Sequence, residues 1–289
     1  MGKNKNIRYK MLRELESKIK LGTSKRSAKK ENGGRSPSIH SGTTARTYMR
    51  QVGRYGDWLK DRGMGHCSME EAREHVGEYL NEWREESPSA WTLDTARSAI
   101  AKVYGCSGDE LCEKTWGNRH ASDIVRGREM TPRALAAEKA APDIAAFCRG
   151  SGLRSHRELE RLTAEAVSKR ENGSTWIHVQ GKGGRWRDVE IFPEAAEILK
   201  DRIEKYGDSS PLFPDVPSHM NVHHYRADFA CRAYDRALER GISNGKMYSP
   251  KDGSGRSFDR AALSYASQQL GHGNGRYETI VNNYLYNHS

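Results

Sequence analysis

The residues best suited to chemistry lie scattered over the second half of the chain. Leu270-Gly271-His272 is followed, after a Gly-rich polar turn, by Ile280-Val281-Asn282-Asn283-Tyr284-Leu285-Tyr286. A histidine with a tyrosine twelve residues further on suits a nucleophile delivered on a mobile tail. Upstream, Gly152-Leu153-Arg154 puts an arginine at a helix start, and Gly181-Lys182-Gly183-Gly184 puts a lysine at a turn. In His223-His224-Tyr225-Arg226 the first and last residues are three apart, so on a helix they share a face and could hold one anion together. A tyrosine backed by two arginines and a lysine points to DNA strand transfer.

Each residue taken singly has a plainer reading. Arg154 alone is a surface arginine, Lys182 a turn lysine, His223 and Arg226 exposed polar residues, and the terminal tyrosines core or interface aromatics. A phosphate-binding Walker loop is excluded at Lys182, because that motif needs four residues between its glycines and Ser or Thr after the lysine, where Gly183 stands. His219 and His223, four apart, could face one way as metal ligands. The zincin pattern requires Glu directly after the first histidine, however, and Met220 is there instead.

Order along the chain changes the weighting. Gly-Leu-Arg, a hairpin-tip lysine, His-x-x-Arg, Leu-Gly-His and a terminal tyrosine together resemble the tyrosine recombinase (phage integrase) family, over roughly residues 130 to 286. The resemblance implies a mainly α fold with a small β-sheet: an N-terminal helical core-binding (SAM-like) domain and a mixed α/β catalytic domain. It implies a site-specific recombinase, an integrase of a mobile element, that cleaves and rejoins DNA through a 3′-phosphotyrosine intermediate. A type IB topoisomerase-like relaxing enzyme and a non-catalytic DNA-binding protein of the same fold are the alternatives.

Phosphoryl transfer to tyrosine develops negative charge on nonbridging oxygens, which planar guanidinium groups clamp bidentately. Arg154 and Arg226 are the expected clamp. A tyrosine with a pKa of about 10 is ionised to about one part in a thousand at neutral pH, so it needs a proton acceptor and a cationic site. His223 is the expected acceptor, and His272 the expected hydrogen-bond donor to the phosphate. By its place in the family pattern, Lys182 would give a proton to the departing 5′-hydroxyl. No metal, nucleotide or other cofactor is implied. The implied partners are double-stranded DNA recombination sites, synapsed by a homotetramer, with a directionality factor as a further candidate.

The sequence also departs from the family pattern. The tyrosine usually follows the Leu-Gly-His histidine by nine or ten residues, so Tyr286 and Tyr277 stand beside Tyr284 as alternatives. Ile280 and Val281 could anchor a helix presenting Tyr284, with Tyr286 about 200° further round. An acid usually stands three residues after the first arginine; here Arg157 is at that position and Glu158 follows it. That leaves Arg157 as an alternative to Arg154. Tyr225 and Ala227 replace the leucine and second histidine of the common His-x-Leu-Arg-His form.

Positioning these residues requires a scaffold that the patterning outlines. Leu12, Leu15 and Ile19 line a helix within residues 7 to 20, ahead of a basic linker, so that residues 1–40 are expected to be an arm and linker. Tyr48, Val52, Tyr55 and Leu59 repeat at helical spacing up to Gly63. Ser68 and Glu71 form a capping box ahead of Ala72, Val76, Tyr79, Leu80 and Trp83. Ala96, Ile100, Val103 and Tyr104 make a third face, stopped by Gly105. Residues 41–130 are therefore expected to be a helical DNA-binding domain, and 131–289 the catalytic domain. The latter is predicted to open with a helix from Thr131-Pro132 through Cys148, then one over Glu158 to Val167. A hairpin of residues 175–179 and 185–191, with Lys182 at its tip, precedes further helices.

Composition sets outer limits. The 289 residues are enough for two cores, and 35% hydrophobic against 30% charged residues describes a highly charged surface. No run supplies the roughly twenty apolar residues of a membrane span, and the basic N-terminus lacks the apolar stretch of a secretory signal, so a cytoplasmic protein is expected. The five cysteines show no Cys-x-x-Cys pairing. Of the net charge of +10, residues 1 to 35 carry twelve lysines and arginines against three acids, which favours a polyanionic partner.

Overall fold

The computed structural model describes residues 6–86, 88–118, 129–154, 156–181, 184–286 and 288. The chain divides into two compact units, Met1–Arg119 and His120–Ser289, against expected divisions at 40 and 130.

The first unit is all helical: α1 (Ile7–Ser17), α2 (Lys25–Glu31), α3 (Gly42–Asp61), α4 (Met69–Glu74), α5 (Val76–Glu85), α6 (Ala90–Tyr104) and α7 (Gly108–Leu111). The expectation of a separate arm over residues 1–40 is corrected by α1. Its buried stripe is Ile7, Met11 and Leu15, all inaccessible to solvent, and it packs against α3 and α6. Burying three such side chains is worth roughly 1.5–3 kcal/mol each, while the charged residues Arg8, Arg13, Glu14 and Glu16 around them stay exposed to water. The Ser68–Glu71 capping box forms in both directions at the start of α4. Gly105 ends α6 in the left-handed conformation, which closes the helix without a Cβ clash.

The second unit holds α8 (Pro132–Ala140), α9 (Pro142–Ser151), α10 (His156–Glu160), β1 (Val167–Lys169), β2 (Thr175–Gln180), β3 (Trp186–Glu190), α11 (Pro193–Tyr206), α12 (Val222–Glu239), β4 (Met247–Tyr248), β5 (Phe258–Asp259), α13 (Arg260–Gln269) and α14 (Tyr277–Asn283). Its larger sheet is antiparallel in the order β1-β2-β3, with Ile177 opposite Val189 and Val179 opposite Arg187. Helix α12 is central, packed on α9 and on α13.

Two predicted helices are corrected. The helix expected from Thr131 through Cys148 breaks at Ala141, because Pro142 lacks an N–H and drives the residue before it out of helical geometry. The helix expected over Glu158 to Val167 stops at Glu160, and Val167 begins β1, pairing with Ile177. The expected hairpin is β2–β3; its tip, Lys182 with Gly183, lies outside the described residues. Among the described residues no helix is long and apolar enough to cross a membrane.

Candidate active site

Arg226 is the hub on which the predicted residues converge. It lies on the inner face of α12 with 1% exposure, and a charge so buried must be paired or solvated by dipoles. Its two Nη atoms donate to the carbonyls of Gly152 and Leu270, and its Nε donates to the Tyr284 hydroxyl at 3.3 Å. Gly152 is the C-cap of α9 and Leu270 the C-cap of α13. The guanidinium therefore sits at the negative ends of two helix dipoles, which offsets its loss of water. The arrangement also joins the Gly-Leu-Arg turn, the Leu-Gly-His turn and the terminal tyrosine at one side chain. Gly152 makes the approach possible: its φ is +58°, and a Cβ there would stand 2.3 Å from the Phe229 ring.

Tyr284 caps α14 and is 4% exposed. Ile280, Val281 and Leu285, all inaccessible, seat it. Arg256 then holds the tail, donating to the carbonyls of Leu285 at 2.8 Å and Tyr286 at 3.1 Å. The expected mobile tail is thus a fastened one. The His272 Nε2 lies 3.1 Å from the Tyr284 hydroxyl. The His223 ring stacks on that of Tyr284, with centroids 5.3 Å apart and planes inclined by 19°. Tyr277 is elsewhere, against Tyr248 and the Ser264 hydroxyl. Tyr286 is partly buried against the core.

Arg154 is exposed, with its backbone N–H fixed by the Glu158 carboxylate at 2.6 Å. Its charge acts on both His223 and His272. The acid displaced by one residue in the sequence thus holds the Arg154 turn. Glu158 also accepts two hydrogen bonds from Arg187 of β3, at 3.2 and 2.8 Å, with both side chains under 10% exposed. Burial raises the Glu158 pKa, but the Arg187 hydrogen bonds and charge, with the Arg154 N–H, outweigh it and hold the carboxyl below its ordinary range. Sequence reasoning missed Arg187. Its only signal was the alternation of β3, which turns Arg187 and Val189 to the same side of the strand.

Cations outnumber anions here. Loss of solvent, then the charges of Arg226, Arg154, Arg187 and Arg276, push His272 down to about 4, so its ring is neutral at physiological pH. His223 is lowered as well, first by loss of solvent, then by Arg226 and Arg154 against an opposing backbone hydrogen bond. A buried phenol amid surplus guanidinium charge is suited to receiving an anion and to stabilising a phenolate. His219 precedes α12, so the pairing of His219 and His223 on one helical face does not form. Among the described residues no group of three or more His, Cys, Asp or Glu side chains could hold a metal ion.

No protein-family model and no curated protein matches the sequence. Solved structures do. XerH site-specific recombinase bound to difH substrate, in a pre-cleavage complex, aligns with 96% of this chain and 92% of its own at a TM-score of 0.54 and 15% identity. The post-cleavage complex of XerH with a palindromic difH substrate aligns with 98% and 92% at a TM-score of 0.52 and 14% identity. The likeness spans both units and includes the mainly α plan with its small sheets. The chain therefore has the tyrosine-recombinase fold.

Proposed function

We propose that this protein is a site-specific DNA recombinase, cleaving and rejoining strands through a covalent 3′-phosphotyrosine at Tyr284. The observation that carries this reading is the convergence of Arg226 and His272 on one buried phenolic oxygen, with His223 stacked against the same ring. Of the five N–H groups of a guanidinium, Arg226 spends three on Gly152, Leu270 and Tyr284, leaving two for a nonbridging phosphate oxygen. Arg154, exposed beside it, supplies the second arm of the clamp. Attack by the Tyr284 oxygen on phosphorus forms the P–O bond to tyrosine and breaks the bond to O5′, which takes up a proton from Lys182. The phosphotyrosine bond conserves energy for religation, so no nucleotide is consumed.

XerH, which shares the fold, is captured on its difH substrate both before and after cleavage. By analogy, this protein acts on double-stranded DNA as a homotetramer that synapses two recombination sites. The basic N-terminal residues add sequence-independent phosphate contacts.

The test is a nicked suicide duplex carrying a site selected from a random pool by binding, followed by denaturing electrophoresis. Wild type is expected to accumulate protein joined to a 3′-phosphate, and Tyr284→Phe to form none. Adduct that persists in Tyr284→Phe but disappears in Tyr286→Phe would move the nucleophile by two residues. Salt-sensitive binding with no adduct in wild type would leave a DNA-binding protein that keeps only the fold.

A further inference from the structure

Hydrogen-bond direction distinguishes the two histidines. Arg Nε has an N–H and no free lone pair, so at 3.3 Å from Arg226 the Tyr284 oxygen must be the acceptor. The phenol's own hydrogen then has to point to a different atom, and the His272 Nε2 is 3.1 Å away. That nitrogen accepts only in a neutral ring protonated on Nδ1. The lone pairs of His223 lie in the plane of its ring. With that plane inclined by only 19° to the tyrosine, His223 presents a face to Tyr284 and cannot aim a nitrogen along the O–H direction.

We infer that His272 accepts the proton that Tyr284 loses on attacking the phosphate, and that His223 is a stacked wall holding the phenol in place. The inference rests on the strand-transfer reading above and reverses the roles the sequence suggested. In the step, the Tyr284 O–H bond breaks and its proton goes to His272 Nε2. The freed electron pair forms the bond to phosphorus, and the pair of the P–O5′ bond leaves with O5′. On religation the same proton returns from His272 to Tyr284.

The surroundings make this base conditional on the substrate. The groups facing His272 are Arg226 from α12, Arg154 after α9, Arg187 from β3, Arg276 before α14 and the Tyr284 phenol; Glu158, the nearby carboxylate, is bound to Arg187. In the absence of DNA these cations and the loss of solvent hold the ring at about 4, a poor acceptor. A phosphodiester between Arg154 and Arg226 brings the missing negative charge, which raises the proton affinity of His272. The nucleophile is thus activated only when DNA is in place.

The experiment is the rate of adduct formation on the suicide duplex from pH 6 to 9, for wild type, His272→Gln, His272→Ala and His223→Ala, with binding followed by gel shift. Glutamine keeps a hydrogen-bond acceptor but cannot carry the proton. His272→Gln and His272→Ala are expected to be slower at pH 7 on the order of 10²–10⁴-fold, the usual contribution of a general base. Both are then expected to gain tenfold per pH unit as hydroxide replaces the base, while wild type levels off. His223→Ala is expected to run parallel to wild type. Position 272 variants that run parallel to wild type, or a tenfold slope in His223→Ala instead, overturn the inference while the recombinase reading stands. Absence of adduct in wild type removes both.

Discussion

Two buried arginine–glutamate knots lie at opposite ends of β3, and only one has charge to spare. Glu190 is fully engaged: Arg240 bonds both carboxylate oxygens at 2.7 Å, the Tyr265 hydroxyl adds a third bond at 2.9 Å, and Arg236 stands 3.6 Å away. Its neighbour Arg232 is in turn paired with Glu194 at 2.5 Å. A groove of about 1070 Å³ runs beside this knot, between α11, α12 and the β1–β2 loop, yet the charges along it compensate one another. At the other end, Glu158 faces Arg187, the Arg154 N–H and the charge of Arg226, and among the described residues the buried Arg187 Nε has no hydrogen-bond partner. Burial of charge is common to both places, and cavity size favours the wrong one. Uncompensated cation density is what separates a site awaiting an anion from a structural brace.

Removing one member of each knot is the sharpest way to break this comparison. Arg187→Met strands a carboxylate that is 4% exposed and is expected to cost about 3–5 kcal/mol, read from urea unfolding, with adduct formation lost along with it. Glu190→Gln frees Arg240, which is 44% exposed on its side chain and can turn to water, while the more buried Arg236 keeps its hydrogen bond to the backbone carbonyl of residue 190 and an amide oxygen in place of the carboxylate. That change is expected to cost only about 1–2 kcal/mol and to leave the adduct rate per folded molecule unchanged. Equal losses of chemistry in the two variants would dissolve the distinction.

A smaller effect is expected at Gly271, where φ is +72° and a Cβ would fall 2.7 Å from the Arg187 Cδ. Because Glu158 pins the far end of Arg187, the arginine cannot swing clear. Gly271→Ala is expected to cost about 1–3 kcal/mol and to slow adduct formation, whereas the same change at Gly207, whose Cβ would meet nothing within 4 Å, should affect stability alone.

The smallest effect is a pH dependence. His272 is lowered from 6.5 to about 4 in the folded chain, so between those values the unfolded state binds the additional proton. The stability due to neutral His272 is therefore present above pH 6.5 and is lost as pH falls toward 4. Allowing for solvent screening, wild type should lose about 1–2 kcal/mol more than His272→Gln between pH 7 and 4.5 in urea titrations. An identical loss in both would mean that the surplus cations do not reach His272.

Much of this arrangement is legible in the sequence where the signal is local. The Ser68–Glu71 box, the stops at Gly63 and Gly105, and the β2–β3 hairpin all follow from neighbouring residues. So does Tyr284 at the end of a helix seated by Ile280 and Val281. What escapes depends on neighbours distant in sequence. Basic flanks dominate the look of residues 1–40, while Ile7, Met11 and Leu15 bury α1 in a core assembled from α3 and α6. Glu158 is visible as a displaced acid, but its partner Arg187 becomes one only when β3 is laid against the turn after α9. The stacking of His223 on Tyr284 and the contact of His272 with its hydroxyl are invisible as well, because ring orientation is set by how α12 meets α13 and α14. Lys182, the expected general acid, lies outside the described residues.

The clasp of Arg256 on the carbonyls of Leu285 and Tyr286 has a consequence for the timing of entropy loss. A nucleophile on a loose segment must be immobilised during each turnover, and that ordering adds to the barrier. Here the backbone on both sides of Tyr284 is restrained when the chain folds, through Ile280 and Val281 before it and Arg256 after it. On the strand-transfer reading proposed above, the loss of conformational freedom falls on folding, at roughly 1–2 kcal/mol per residue, and not on the chemical step.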